Sequence, residues 1–97
     1  MINNTTGGLN VAVGVNAMAL VTTANHNVAV GANSSNQNQT GSHNVAVGVN
    51  ALLTNTTADG CVGIGKSALL ANTTGKSNIA IGYEALKTND AGSKNIA

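Results

Sequence analysis

The 97-residue sequence has no proline, no phenylalanine and no tryptophan, one tyrosine (Tyr83) and one cysteine (Cys61). A conventional small-domain core draws on aromatic rings that bury about 150–250 Å² each, and this chain lacks them. A single cysteine excludes an intramolecular disulfide and leaves the redox compartment open. Charge is equally scarce: Asp59, Lys66, Lys76, Glu84, Lys87, Asp90 and Lys94 are the only charged residues, and none precedes position 59. That excludes a basic patch for nucleic acid and a polybasic stretch for anionic lipid. The longest apolar run, 17–21, is five residues, against the ~20 that span a bilayer. No charged n-region followed by an apolar h-region marks a signal peptide.

What the chain does contain is order of another kind. Hydrophobic residues make up 42% of it at a formal net charge of +1, whereas disordered segments are poor in β-branched residues and highly charged. The string Asn10-Val11-Ala12-Val13-Gly14 returns as Asn27-Val28-Ala29-Val30-Gly31 and as Asn44-Val45-Ala46-Val47-Gly48. It then becomes Cys61-Val62-Gly63-Ile64-Gly65, Asn78-Ile79-Ala80-Ile81-Gly82 and finally Asn95-Ile96-Ala97. Each copy starts 17 residues after the last, with no insertion or deletion. A constant period means stacked identical units. The chain divides into a partial unit 1–9, full units 10–26, 27–43, 44–60, 61–77 and 78–94, and a sixth begun at 95–97, which reads as a piece of a longer shaft.

Val-Ala-Val or Ile-Ala-Ile between an asparagine and a glycine is a short β-branched strand with its turn signals. A second stretch around Ala51-Leu52-Leu53 fits another strand or a tight corner. Seventeen residues are too few for helical repeats, which need about 33 or more. The expected fold is all-β, a parallel β-solenoid with one coil per unit, rising about 4.8 Å per coil. In a strand, alternate side chains face opposite sides. Val11, Val13, Val28, Val30, Val45, Val47, Val62, Ile64, Ile79 and Ile81 are therefore expected to form an aliphatic ladder on one side. The small Ala12, Ala29, Ala46 and Ala80 would face the other, where another chain approaches closely. Gly14, Gly31, Gly48, Gly65 and Gly82 mark a turn with positive φ or a close backbone approach. Asn10, Asn27, Asn44 and Asn78 stand in register, as do Asn4, Asn38, Asn55, Asn72 and Asn89, and can pair their amides from rung to rung. The unit 27–43 carries Ser34 and Ser35 where its neighbours carry Ala and Leu or Met, and is expected to be the weakest coil.

The Asn10-Val11-Ala12-Val13-Gly14 string and its copies resemble the Asn-Ser-Val-Ala-Ile-Gly repeat of the YadA-like heads of trimeric autotransporter adhesins, and the likeness covers nearly the whole chain. Similar repeats occur in shafts of phage-type trimeric tail fibres, and the longer coil with its Ala-Leu-x-x-Asn-Thr-Thr-Gly segment at 68–75 is closer to these. The resemblance implies a left-handed β-roll, a homotrimer, a place on the cell surface or the virion tail fibre, and a role in adhesion. The partners it implies are two further copies of the chain and a host receptor or glycan.

Four motifs invite sharper readings. Residues 60–67, Gly-Cys-Val-Gly-Ile-Gly-Lys-Ser, match the P-loop pattern, but a P-loop needs a following helix and an α/β context, and Gly65 is the turn glycine of every unit. His26 and His43 share a column that continues as Gly60, Ser77 and Lys94. They are the only candidate ion site, although exposed turn histidines are the plainer reading. Thr5-Thr6, Thr22-Thr23, Thr56-Thr57 and Thr73-Thr74 raise an ice- or carbohydrate-binding Thr/Asn face, interrupted by Gln39-Thr40 and Asp90-Ala91. Sequons such as Asn55-Thr56-Thr57 read as turn chemistry within the repeat. No acid/base pair and no nucleophile with a partner base is present, so neither an enzyme nor a cofactor is expected. The expected function is a structural segment of a homotrimeric attachment fibre, with an independent binding solenoid as the alternative.

Overall fold

A computed structural model describes residues 9–19, 23–89 and 91–97. Most of the partial unit 1–9 lies outside them, as do Asn4, Thr5, Thr6, Thr22 and Asp90. Among the described residues there is no helix. Five strands, β1 (Val11–Val13), β2 (Val28–Val30), β3 (Val45–Val47), β4 (Val62–Ile64) and β5 (Ile79–Ile81), pair in parallel in sequence order. Val11 lies beside Val28, Val28 beside Val45, Val45 beside Val62 and Val62 beside Ile79, so the register is the 17-residue period itself. A further parallel bridge joins Ile79 to Ile96. The chain is a β-solenoid.

Pairing extends well past the three-residue strands. Asn33 N–H donates to Val15 O, Ser35 N–H to Ala51 O, Gln37 N–H to Leu53 O and His43 N–H to Asn25 O, at 2.8–3.1 Å. Backbone groups around the coil therefore find partners on the neighbouring rung, as buried peptide groups must. The stretch after each strand is a run of turns: Ser34 N–H donates to Gly31 O, Asn36 N–H to Asn33 O and Asn38 N–H to Ser35 O. The Ala51-Leu52-Leu53 stretch is thus a corner.

These corners require left-handed backbone that only the glycine column announced. Gly48 has φ +131°, and a Cβ there would sit 2.7 Å from the carbonyl of Gly65 on the next rung. Beyond the glycines, three non-glycine columns have φ near +50 to +60°. They are Asn16, Asn33, Asn50, Ser67 and Glu84; Met18, Ser35, Leu52, Leu69 and Leu86; and Leu9, His26, His43, Ser77 and Lys94, where Gly60 fills the remaining rung. A leucine in this region costs about 1–2 kcal/mol. Leu52 and Leu69 are completely buried, and burying such a side chain contributes about 1.5–3 kcal/mol. Burial wins, and the strained corner points its leucine into the coil.

The interior is correspondingly thin. Ala29, Ala46 and Ala80 of the strands meet Ala17, Ala51, Ala68, Met18, Leu52 and Leu69 from the corners, with Ala24, Ala58 and Cys61 closing one end of the cross-section. This corrects the expected assignment of faces. The small-residue column faces the inside of its own coil, and the valines and isoleucines face out. The space between strand and corner explains it: a Cβ on Gly63 would already lie 3.2 Å from Ala68 O and 3.4 Å from Leu52 Cγ. Only a methyl group fits opposite a leucine.

Two asparagine columns complete the core. Asn27, Asn38, Asn44, Asn55, Asn72 and Asn78 are buried. Two pairs each converge on one carbonyl: Asn27 and Asn38 donate Nδ2 to Gly41 O at 2.9 and 2.8 Å, and Asn44 and Asn55 donate to Ala58 O at 2.8 and 3.3 Å, while Asn72 donates to Gly75 O and Asn78 to Gly92 O. Both lone pairs of each shared carbonyl are used. Rung to rung, Asn44 N–H donates to Asn27 Oδ1 at 2.9 Å and Asn95 N–H to Asn78 Oδ1 at 2.8 Å. In the second column Asn55 Nδ2 reaches Asn38 Oδ1 at 3.1 Å, and Asn89 Nδ2 reaches Asn72 Oδ1 at 3.1 Å. The expected amide ladders are present, and they are internal. The Thr/Asn face considered above therefore loses these asparagines to the core.

Candidate functional site

With Ala inside, each strand turns its first and third residues outward. Val13, Val30, Ile64 and Ile81 are exposed and Val47 is partly so; two positions on, Val15, Val49 and Tyr83 are exposed as well. The result is an apolar strip along the stack. Its one cationic member, Lys66, lies with Nζ 5.9 Å from the Tyr83 ring centroid, a cation–π contact that covers part of the ring. Together the exposed members form a continuous apolar patch, of the kind that marks an interaction surface.

The second feature is the histidine pair. His26 and His43 stack with centroids 4.9 Å apart and planes 3° from parallel. Both are exposed, and both have left-handed backbone, φ +60° and +61°. The register expectation for this pair holds, since the two rings share a column one rung apart. No group of three or more His, Cys, Asp or Glu residues gathers among the described residues.

The remaining motifs dissolve into the repeat. The P-loop-like segment contains β4, and its amides are spent on rung pairing: Gly65 N–H donates to Val47 O at 2.7 Å and Ser67 N–H to Val49 O at 2.9 Å. No helix follows to receive a phosphate. Among the threonines, Thr23, Thr40, Thr57 and Thr74 are all exposed on four consecutive rungs of one column, which Ala91 ends, while Gln39 interrupts the neighbouring column as expected. Their neighbours Thr56 and Thr73 are partly buried, and Thr56 Oγ1 donates to Thr73 O at 3.5 Å. Glu84 pairs with Lys87 at 2.9 Å, an exposed ion pair within one corner; it raises the Lys87 ammonium above its ordinary range.

Cys61 takes the asparagine position in its rung and is buried. Asn44 Oδ1 accepts its N–H at 2.8 Å, and its Sγ lies 3.2 Å from Gly75 O, where an asparagine amide points in other rungs. Burial pushes its thiol above its ordinary value. It is a core residue and not a reactive one. Comparison with family models, with curated proteins and with solved structures finds no match to this chain.

Proposed function

We propose that the chain is a structural segment of a homotrimeric surface fibre, a left-handed β-roll of the kind its repeat resembles, and that it serves attachment without catalysing a reaction. The observation that carries this reading is the exposed aliphatic strip. A solenoid that turns valine and isoleucine outward on every rung keeps apolar area in water at a cost of about 25 cal/mol per Å². Three copies around one axis remove it. Stacked rungs then carry length and stiffness, and the assembled fibre presents its outer columns to a receptor or glycan at a cell surface or on a virion tail.

The decisive measurement is sedimentation velocity of the purified chain at micromolar concentration. A single species at three times the chain mass is the expected result, and a well-folded monomer overturns the reading. The unbroken column Thr23, Thr40, Thr57 and Thr74 favours a second reading, a solenoid that orders water or binds carbohydrate along its threonines. A thermal-hysteresis assay of the monomeric chain separates the two.

A further inference from the structure

Nothing in the fold requires imidazole at positions 26 and 43. Leu9, Ser77 and Lys94 adopt the same left-handed backbone in the same column, and Gly60 fills the remaining rung. Histidine tolerates that region, which accounts for either ring alone; two on consecutive rungs, both exposed, can turn to reach one ion. We propose that His26 and His43 form a two-nitrogen site for a late first-row divalent cation such as Zn²⁺, Ni²⁺ or Cu²⁺, with water or an outside ligand completing the coordination.

The spacing of the two side chains is within reach of one ion. At metal–nitrogen distances of about 2.0–2.1 Å, two nitrogens on one tetrahedral ion lie roughly 3.3 Å apart. The rings stand 4.9 Å apart, the spacing of the rungs. Stacked in parallel, the two rings aim their lone pairs side by side, so each exposed ring must swing through χ1 and χ2 by roughly 50° to direct its nitrogen at a shared tetrahedral ion, a change of rotamer open to a side chain that is exposed to solvent. The backbone is fixed by the solenoid: His43 N–H donates to Asn25 O at 3.1 Å, Asn25 N–H to Ser42 Oγ at 3.1 Å and Ser42 N–H to Asp59 Oδ1 at 2.7 Å. The two ligands are thus held together before the ion arrives, which lowers the ordering cost of binding.

Electrostatics do not oppose the ion. No lysine or arginine occurs before Lys66, and Lys94, in the same column, lies three rungs beyond His43, about 14 Å away at 4.8 Å per rung. The donor set also selects. Imidazole suits Zn²⁺, Cu²⁺ and Ni²⁺, while Mg²⁺ and Ca²⁺ prefer oxygen ligands. With no third His, Cys, Asp or Glu gathered beside the pair among the described residues, open positions remain on the ion.

Titration with ZnCl₂ by isothermal calorimetry tests this on the whole chain and on the His26→Asn and His43→Asn variants. Asparagine is chosen because Asn16, Asn33 and Asn50 already hold left-handed backbone here. One zinc per chain is expected, and each substitution should weaken binding about tenfold or more. With CuCl₂, electron paramagnetic resonance should show two imidazole nitrogens in the unsubstituted chain and one in each variant. Absence of heat at millimolar zinc, or variants that bind as the parent does, overturns the proposal. Fewer than two imidazole nitrogens on copper in the unsubstituted chain overturns it independently of how the variants fold.

Discussion

At the scale of single residues, the asparagine columns show how a chain without aromatic rings fills its interior. Each buried amide donates to a backbone carbonyl and accepts from the next rung, a backbone N–H in one column and an asparagine Nδ2 in the other, so burial of these polar groups costs little. Cys61 breaks the pattern, because a thiol is a weak donor and a weak acceptor. Replacing it with asparagine gives Gly75 O a second amide donor beside Asn72 Nδ2, and Asn78 N–H an oxygen acceptor. Cys61→Asn is expected to stabilise the fold by about 1 kcal/mol, which calorimetry would read as a melting temperature roughly 4–8 °C higher. It also changes the alkaline limb. Burial raises the folded thiol above its ordinary 9.0, so below that pH both states keep the proton and stability is unaffected. Above it the unfolded chain loses its proton first and stability falls. Urea titrations at about pH 8 and about pH 10 should show that loss in the parent and its absence in the asparagine variant.

At the scale of one coil, the corner residue decides how much each rung contributes. Met18, Leu52 and Leu69 offset their left-handed backbone by burying a long aliphatic side chain. Ser35 has φ +48° and is buried, yet its Oγ has no hydrogen-bond partner. That rung bears the strain and gains neither the burial nor the bond. Ser35→Leu is expected to stabilise the protein by about 2 kcal/mol. Hydrogen exchange should show amides of 27–43 less protected than those of 61–77 in the parent, and the difference removed in the variant. The strands, their parallel register, the glycine corner and the rung-to-rung pairing of asparagines were legible in the period, but not that those asparagines lie inside. The faces were not. Period-two alternation separates Val11 and Val13 from Ala12 without saying which side is inside, and hydrophobicity favours the valines. Volume decides instead, since Leu52 and Leu69 reach across the coil and leave room only for alanine. The left-handed columns were hidden too: Asn16, Asn33 and Asn50 hinted at one, but nothing about Leu52 or Leu69 in isolation signals a residue type that ordinarily avoids that conformation.

At the scale of the whole molecule, the exposed strip has one rung-independent property: it can be altered without touching the core. Val47 and Ile64 face outward on adjacent strands. The double variant Val47→Lys, Ile64→Lys should keep the far-ultraviolet spectrum of the parent and sediment as a monomer, since lysine on an edge-facing apolar surface opposes association. A trimer that survives both substitutions would place the interface elsewhere. The histidine pair was legible as a column, whereas the parallel stacking of its rings is a product of the coil's backbone. The unvarying register has a further consequence. Because the β3–β4 junction repeats that of β2–β3, an in-frame gain or loss of one unit leaves every remaining contact of the same kind and alters only reach, by about 4.8 Å. Length in such a stack is a copy number, open to change by unequal recombination between near-identical segments without redesign of a single rung.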